Sequence, residues 1–114
     1  MDEVRATLRF AGSSAQKMRR VINVIRGRKA PQALALLQNM PQTAAHDVAK
    51  LLRSAMANAE ENAGLRTEDM VVSGAFANEG PTRRWRRFGA RGRFKPILRR
   101  TSHVTITLRE VTAE

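Results

Sequence analysis

The sequence predicts an α+β protein, with three helices packed on a small three-stranded antiparallel sheet and a long β-hairpin projecting from it. Three observations predict this. Apolar and polar residues alternate near both ends of the chain, apolar residues recur at helical spacing between Ser14 and Ala63, and a block of arginines separates the last two strand-like segments. The 114 residues have mass for one core, so a single domain spanning 1–114 is expected.

In chain order, Val4, Ala6, Leu8 and Phe10 alternate with Arg5, Thr7 and Arg9, the period-two pattern of a half-buried first strand whose apolar side chains share the covered face. Gly12 breaks the chain, Ser13 and Ser14 offer a helix cap, and Met18, Val21, Ile22 and Ile25 form one apolar stripe. The opposite face carries Gln16, Arg19, Arg20, Asn23 and Arg26, so the first helix exposes a basic side, and Gly27 suits a left-handed stop. Pro31 fits the first turn of a short second helix that ends by Asn39, with Ala33, Leu34, Leu36 and Leu37 as its apolar surface. From Gln42 to Ala63 the stripe Ala44, Val48, Leu51, Leu52, Ala55, Met56, Ala59 runs without Gly or Pro, and Gly64 follows as a stop. Met70 to Ala77 reads as a second strand, and Val104, Ile106 and Leu108 mark a third.

The connection between these last two strands is too long to be structureless inside a small domain, and a β-hairpin is the economical way to fill it. Gly89 and Gly92 stand near its middle, where a tight reversal needs positive φ. About ten residues per arm at roughly 3.3 Å each span on the order of 30 Å, more than a globule with a radius of gyration of about 13 Å can cover. Residues 1–78 and 102–114 are therefore expected to form a globular body, with 79–101 as an extended basic arm.

Lys and Arg number 21 against 10 Asp and Glu, a formal net charge of +11. The charge is localised. Lys17, Arg19, Arg20, Arg26, Arg28 and Lys29 cluster around the first helix, and Arg83, Arg84, Arg86, Arg87, Arg91, Arg93, Lys95, Arg99, Arg100 and Arg109 follow without one acid between Glu79 and Glu110. Such self-repulsion makes physical sense where phosphates supply the counter-charge, so the expected partner is a polyanion. Trp85, Phe88 and Phe94 are interleaved with the arginines, placed either to stack on unpaired bases or to pair across the ribbon.

Other chemistry is poorly supplied. There is no cysteine, which removes disulfide scaffolds, Cys-ligated zinc and thiol nucleophiles. His46 and His103 fall on different elements, so no metal site is expected, and Glu60–Glu61 and Glu68–Asp69 are sequence neighbours that do not share a face. No nucleophile elbow, phosphate-binding loop or strand–GxGxxG–helix unit is present, so neither an enzyme, a cofactor nor a small-molecule substrate is expected. No run of about 18 apolar residues occurs and the chain starts acidic at Asp2 and Glu3. A cytoplasmic protein, or one of an organelle matrix, with no membrane partner is expected. The second helix lacks basic residues, a poor recognition helix, and no aromatic RNP motif lies on a strand. Composition alone leaves open a free-standing basic nucleic-acid-binding protein of nucleoid or RNA-chaperone type.

Five fragments in order resemble one family, the universal large-subunit ribosomal protein number twenty-two. They are Ser13-Ser14-Ala15-Gln16-Lys17-Met18-Arg19 with Ile25-Arg26-Gly27-Arg28-Lys29, then Ser54-Ala55-Met56-Ala57-Asn58-Ala59-Glu60, Glu79-Gly80-Pro81, Ala90-Arg91-Gly92-Arg93, and Arg99-Arg100-Thr101-Ser102-His103-Val104-Thr105. The resemblance implies a structural ribosomal protein that binds large-subunit rRNA, joins early in assembly, and threads its hairpin inward to line the nascent-polypeptide tunnel opposite ribosomal protein four of the large subunit. It further implies rRNA contacts by Ser14, Gln16, Lys17, Arg19, Arg20, Arg26 and Lys29 around the first helix. Along the arm it implies contacts by Arg83, Arg84, Arg91, Arg93, Arg99, Arg100, Ser102 and His103. Trp85, Arg86, Arg87, Phe88, Gly89 and Ala90 would form the tip facing the tunnel, and there Trp85, Phe88-Gly89 and Phe94 depart from the family's usual residues.

Overall fold

The computed structural model describes residues 3–64, 66–88 and 94–110, and for 62, 63, 83–88 and 94–99 it describes the main chain alone. Alternation at the start of the chain produces strand β1 (Glu3–Ala11). Ser14 then caps α1 (Ala15–Ile25), its hydroxyl accepting from the Lys17 amide at 3.4 Å, and Met18, Val21, Ile22 and Ile25 are all fully buried. Pro31 sits in the first turn of α2 (Ala30–Gln38), where its missing N–H costs no hydrogen bond. The longest helix, α3 (Thr43–Ala63), ends at Gly64, whose φ of 65° lets its amide turn back to the Ala59 oxygen. A short 3₁₀ turn (Thr67–Asp69) leads into β2 (Met70–Glu79).

Strands β3 (Arg83–Phe88) and β4 (Phe94–Arg99) pair with each other as an antiparallel ribbon, and β5 (Ser102–Glu110) returns to the centre of a three-stranded antiparallel sheet ordered β1-β5-β2. The three helices lie on one face of that sheet, with α1 on β2 and α3 on β1. The α+β fold expected from periodicity is the fold observed. The core joins the α1 stripe and Val48, Leu52, Ala55 and Ala59 of α3 to Val72, Ala75, Val104, Ile106 and Leu108 of the sheet. Alanines at Ala44, Ala45, Ala49, Ala55 and Ala59 allow α3 to approach its neighbours closely.

Six residues of each ribbon strand are described, and the ten per arm that the sequence suggests reach into residues outside the described ones. The overall dimensions are 68 × 25 × 18 Å, and the radius of gyration is 17.2 Å against about 13 Å for a compact chain of this length. Glu79 still pairs with Ser102 in the three-stranded sheet, so the ribbon departs only after that pair. The reversal expected at Gly89 and Gly92 lies outside the described residues.

The first strand departs from simple alternation. Leu8 pairs with Val104, but the next pair is Ala11 with Ser102, so β1 carries one extra residue and its side chains change face. Ala11 takes the buried position and Phe10, expected inside, is 57% exposed with a φ of 58°. Cross-strand geometry supports this strained residue: its amide donates to His103 Nδ1 at 3.0 Å and its ring meets the imidazole edge-on at 4.9 Å.

Candidate nucleic-acid interface

The geometry gathers the expected RNA-contacting residues in two places and spends some of them elsewhere. Ser14, Gln16, Arg19 and Arg100 line one open cleft of about 530 Å³, completed by Glu79, Thr82 and Thr101 at the root of the ribbon. Lys17 and Arg20 line a second, of about 330 Å³, with Ser13, Gln42 and Thr43 from the start of α3. Both clefts flank the N-terminal half of α1, whose first turn carries the positive end of the helix dipole and no acidic residue. A phosphate group is the natural counterpart of such a surface.

Arg26 and Lys29 are exposed at the far end of the same helix, away from both clefts. Arg19 and Arg26, expected to present their guanidinium groups outward, also turn them onto the open edge of β2. Arg19 Nε donates to the Ala77 oxygen at 3.1 Å, and the Arg26 guanidinium reaches the Ala75 oxygen and the Asn23 side chain. The turn after α1 completes this cover: Gly27, at φ 83°, donates to the Val72 oxygen, and the Val72 amide donates to the Arg28 oxygen, each at 2.9 Å. The reason is general, because an edge strand with unpaired carbonyls is a template for aggregation unless something occupies it.

Ser102 and His103 serve the body as well. Ser102 is fully buried and its hydroxyl donates to the Ser13 oxygen at 2.8 Å, tying the start of β5 to the start of α1. His103 is half-buried against Phe10, with Nδ1 engaged. The Ser102 hydroxyl is thus engaged within the body and is not exposed.

In the ribbon, Arg83 stands opposite Arg99, Arg84 opposite Leu98, Trp85 opposite Ile97, Arg86 opposite Pro96, Arg87 opposite Lys95, and Phe88 opposite Phe94. The register thus makes Phe88 and Phe94 partners in the far described pair. Gly89, Ala90, Arg91 and Arg93 lie outside the described residues. Glu79, Thr82 and Thr101 were not legible as cleft residues because isolated polar residues beside a charge block carry no pattern; the pairing of Glu79 with Ser102 brings the end of β2 to Arg100.

Fold and charge together define a class: a small basic α+β protein whose cations gather at one helix and along a ribbon, the layout of a protein that meets a polyanion. Comparison with known proteins gives the family. The model of the family described as ribosomal protein L22p/L17e matches residues 6–109. The large ribosomal subunit protein uL22 of Synechococcus sp. (strain JA-3-3Ab) is 48% identical over 112 residues, covering 98% of this chain and 91% of that protein. That of Synechococcus sp. (strain JA-2-3B'a(2-13)) is 48% identical over 109 residues, covering 96% and 88%. The chain belongs to the ribosomal protein L22p/L17e family, as its motifs suggest, and is a structural constituent of the ribosome, where it resides. Among the described residues no helix is long and apolar enough to cross a membrane.

Proposed function

We propose that this protein is a constituent of the large ribosomal subunit that binds large-subunit rRNA, helps that RNA fold during assembly, and extends its basic arm along the nascent-polypeptide tunnel. One observation carries the reading: a projecting two-stranded ribbon rich in arginine and lacking any acid along its length. A two-stranded ribbon is marginally stable alone in water, so phosphates ordered around it supply both its counter-charge and its support. The body, residues 1–78 and 102–114, meets rRNA through the clefts beside α1, where Ser14, Gln16, Lys17, Arg19, Arg20 and Arg100 are gathered. Arginine suits both places, because its planar fork grips phosphate oxygens in pairs and stacks on bases.

In this reading the arm residues Arg83, Arg84, Arg91, Arg93 and Arg99 neutralise phosphates along its length. The segment from Trp85 to Ala90 faces the tunnel, the nascent chain and the neighbouring constriction protein. Binding and shape recognition are the whole mechanism, and no bond is made or broken. The test is sedimentation of tagged protein from lysate through sucrose at moderate and then high salt. Stoichiometric, salt-resistant migration with large subunits is the expected result. Loss from every particle at moderate salt would replace this reading with that of a free-standing basic nucleic-acid-binding protein.

A further inference from the structure

The helices cover one face of the three-stranded sheet and leave the other open. Register places Thr7, Thr105 and Phe76 in one row across that open face and Arg5, Thr107 and Gly74 in the next. The two threonine hydroxyls of the first row lie 3.5 Å apart. Phe76 is 57% exposed, yet it does not simply point into solvent. A Cβ on Gly74 would come within 3.2 Å of Phe76 Cε2 and 3.6 Å of Cζ, so the ring lies across the glycine, which has no side chain to lift it. Thr107 beside it is only 7% exposed although it belongs to the open face. One side of the ring is therefore spent on the sheet and the other is free.

An aromatic ring laid against a sheet, with its outer face bare, is the element on which proteins stack unpaired bases. The surroundings choose between partners. The centre of a docking site for another protein is apolar and depleted of charge, with polar groups confined to its rim. Here threonine hydroxyls, able to meet base edges, stand beside the ring, Arg5 lies one row away on β1 and Arg109 two rows away on β5, and Glu3 opposite Arg109 is the one acid in these rows. We propose that this open face is a second RNA site, which takes an unpaired base on Phe76 with the flanking phosphates against Arg5 and Arg109. The proposal rests on the rRNA-binding reading above and adds to it a surface on the face of the sheet opposite the helices.

The test measures binding of the full chain to a labelled, unstructured single-stranded oligoribonucleotide, intact and with abasic positions. Phe76→Leu keeps an apolar cover over Gly74 but removes the π face, and Phe76→Trp enlarges it. Thermal melting establishes that both variants fold. Stacking is worth roughly 1–3 kcal/mol per base, so Phe76→Leu is expected to weaken binding of the intact strand roughly 5- to 150-fold, with the salt slope unchanged. Phe76→Trp should bind at least as well as the parent, and the abasic strand should not distinguish parent from Phe76→Leu. Equal binding of the intact strand by parent and Phe76→Leu overturns the proposal and leaves the ring as a cover for Gly74 or a surface for a neighbouring protein. Sedimentation with large subunits separates the two readings. If Phe76→Leu matches the parent while both still migrate with large subunits, the platform fails and the ribosomal reading stands. If the parent is lost from large subunits at moderate salt, the ribosomal reading fails, and the oligonucleotide comparison still decides the platform.

Discussion

Arg19 Nε donates to the main-chain oxygen of Ala77 at 3.1 Å, so a residue expected to address RNA closes the edge of the protein's own sheet. Arg26 does the same at Ala75. A guanidinium has five donors, and one bond to a carbonyl leaves others for a phosphate. Arg19→Ala and Arg26→Ala are each expected to lower stability by about 1 kcal/mol, or roughly 4–8 °C in Tm, because a partly buried carbonyl loses its charged donor. Melting of each variant by circular dichroism checks this. An unchanged Tm would mean that water replaces the guanidinium at no cost.

Such double duty marks the boundary of what the chain discloses by itself. The buried stripe Met18, Val21, Ile22, Ile25 was legible because helical periodicity is a local property. The stops at Gly27 and Gly64 were legible because positive φ selects glycine. Phe10 was misplaced because the extra residue in β1 depends on pairing with residues about ninety positions away. Ser102 looked like part of a polar arm, and only the fold brings the Ser13 carbonyl to it. Phe76 drew no attention as a lone aromatic in a strand; its significance appears once its ring is seen across Gly74. Charge blocks reveal that cations gather, but not which carbonyl each guanidinium meets first.

Replacing Arg99 and Arg100 by alanine should weaken binding to structured rRNA and reduce the slope of log K against log salt by about one unit for each phosphate that is no longer neutralised. Arg100 is exposed at the cleft beside α1, and Arg99 stands at the root pair of the ribbon opposite Arg83. Equilibrium binding measured across a series of salt concentrations checks this. An unchanged slope would show that neither residue meets a phosphate.

Deletion of Arg86 to Arg93 should leave a cooperatively folded body, because the buried apolar residues among those described all lie between Ala6 and Ala77 or between Val104 and Leu108. The melting transition should keep its midpoint within a few degrees. A vanished transition would show that the ribbon helps to hold the sheet together.

Gly80 and Thr101 face each other at the root of the arm. Its amide donates to the Thr101 oxygen at 2.9 Å, Thr101 Oγ1 donates in turn to the Pro81 oxygen at 2.7 Å, and a Cβ on Gly80 would come within 2.6 Å of that same Oγ1. No methyl group fits there without moving the threonine, so Gly80→Ala must break the bond to Pro81 or shift the arm. Thr101→Ala removes the bond and the nearest obstacle, leaving the Thr101 main-chain carbon at 3.3 Å. The cost of Gly80→Ala should therefore be smaller in the Thr101→Ala background than in the parent, a non-additivity of about 0.5 kcal/mol or more. Because the body's core is untouched, the same pair should show a larger effect in rRNA binding, where arm direction matters, than in melting. A double-mutant cycle run on both readouts decides it, and strict additivity in both would mean that Gly80 and Thr101 do not jointly set the root of the arm.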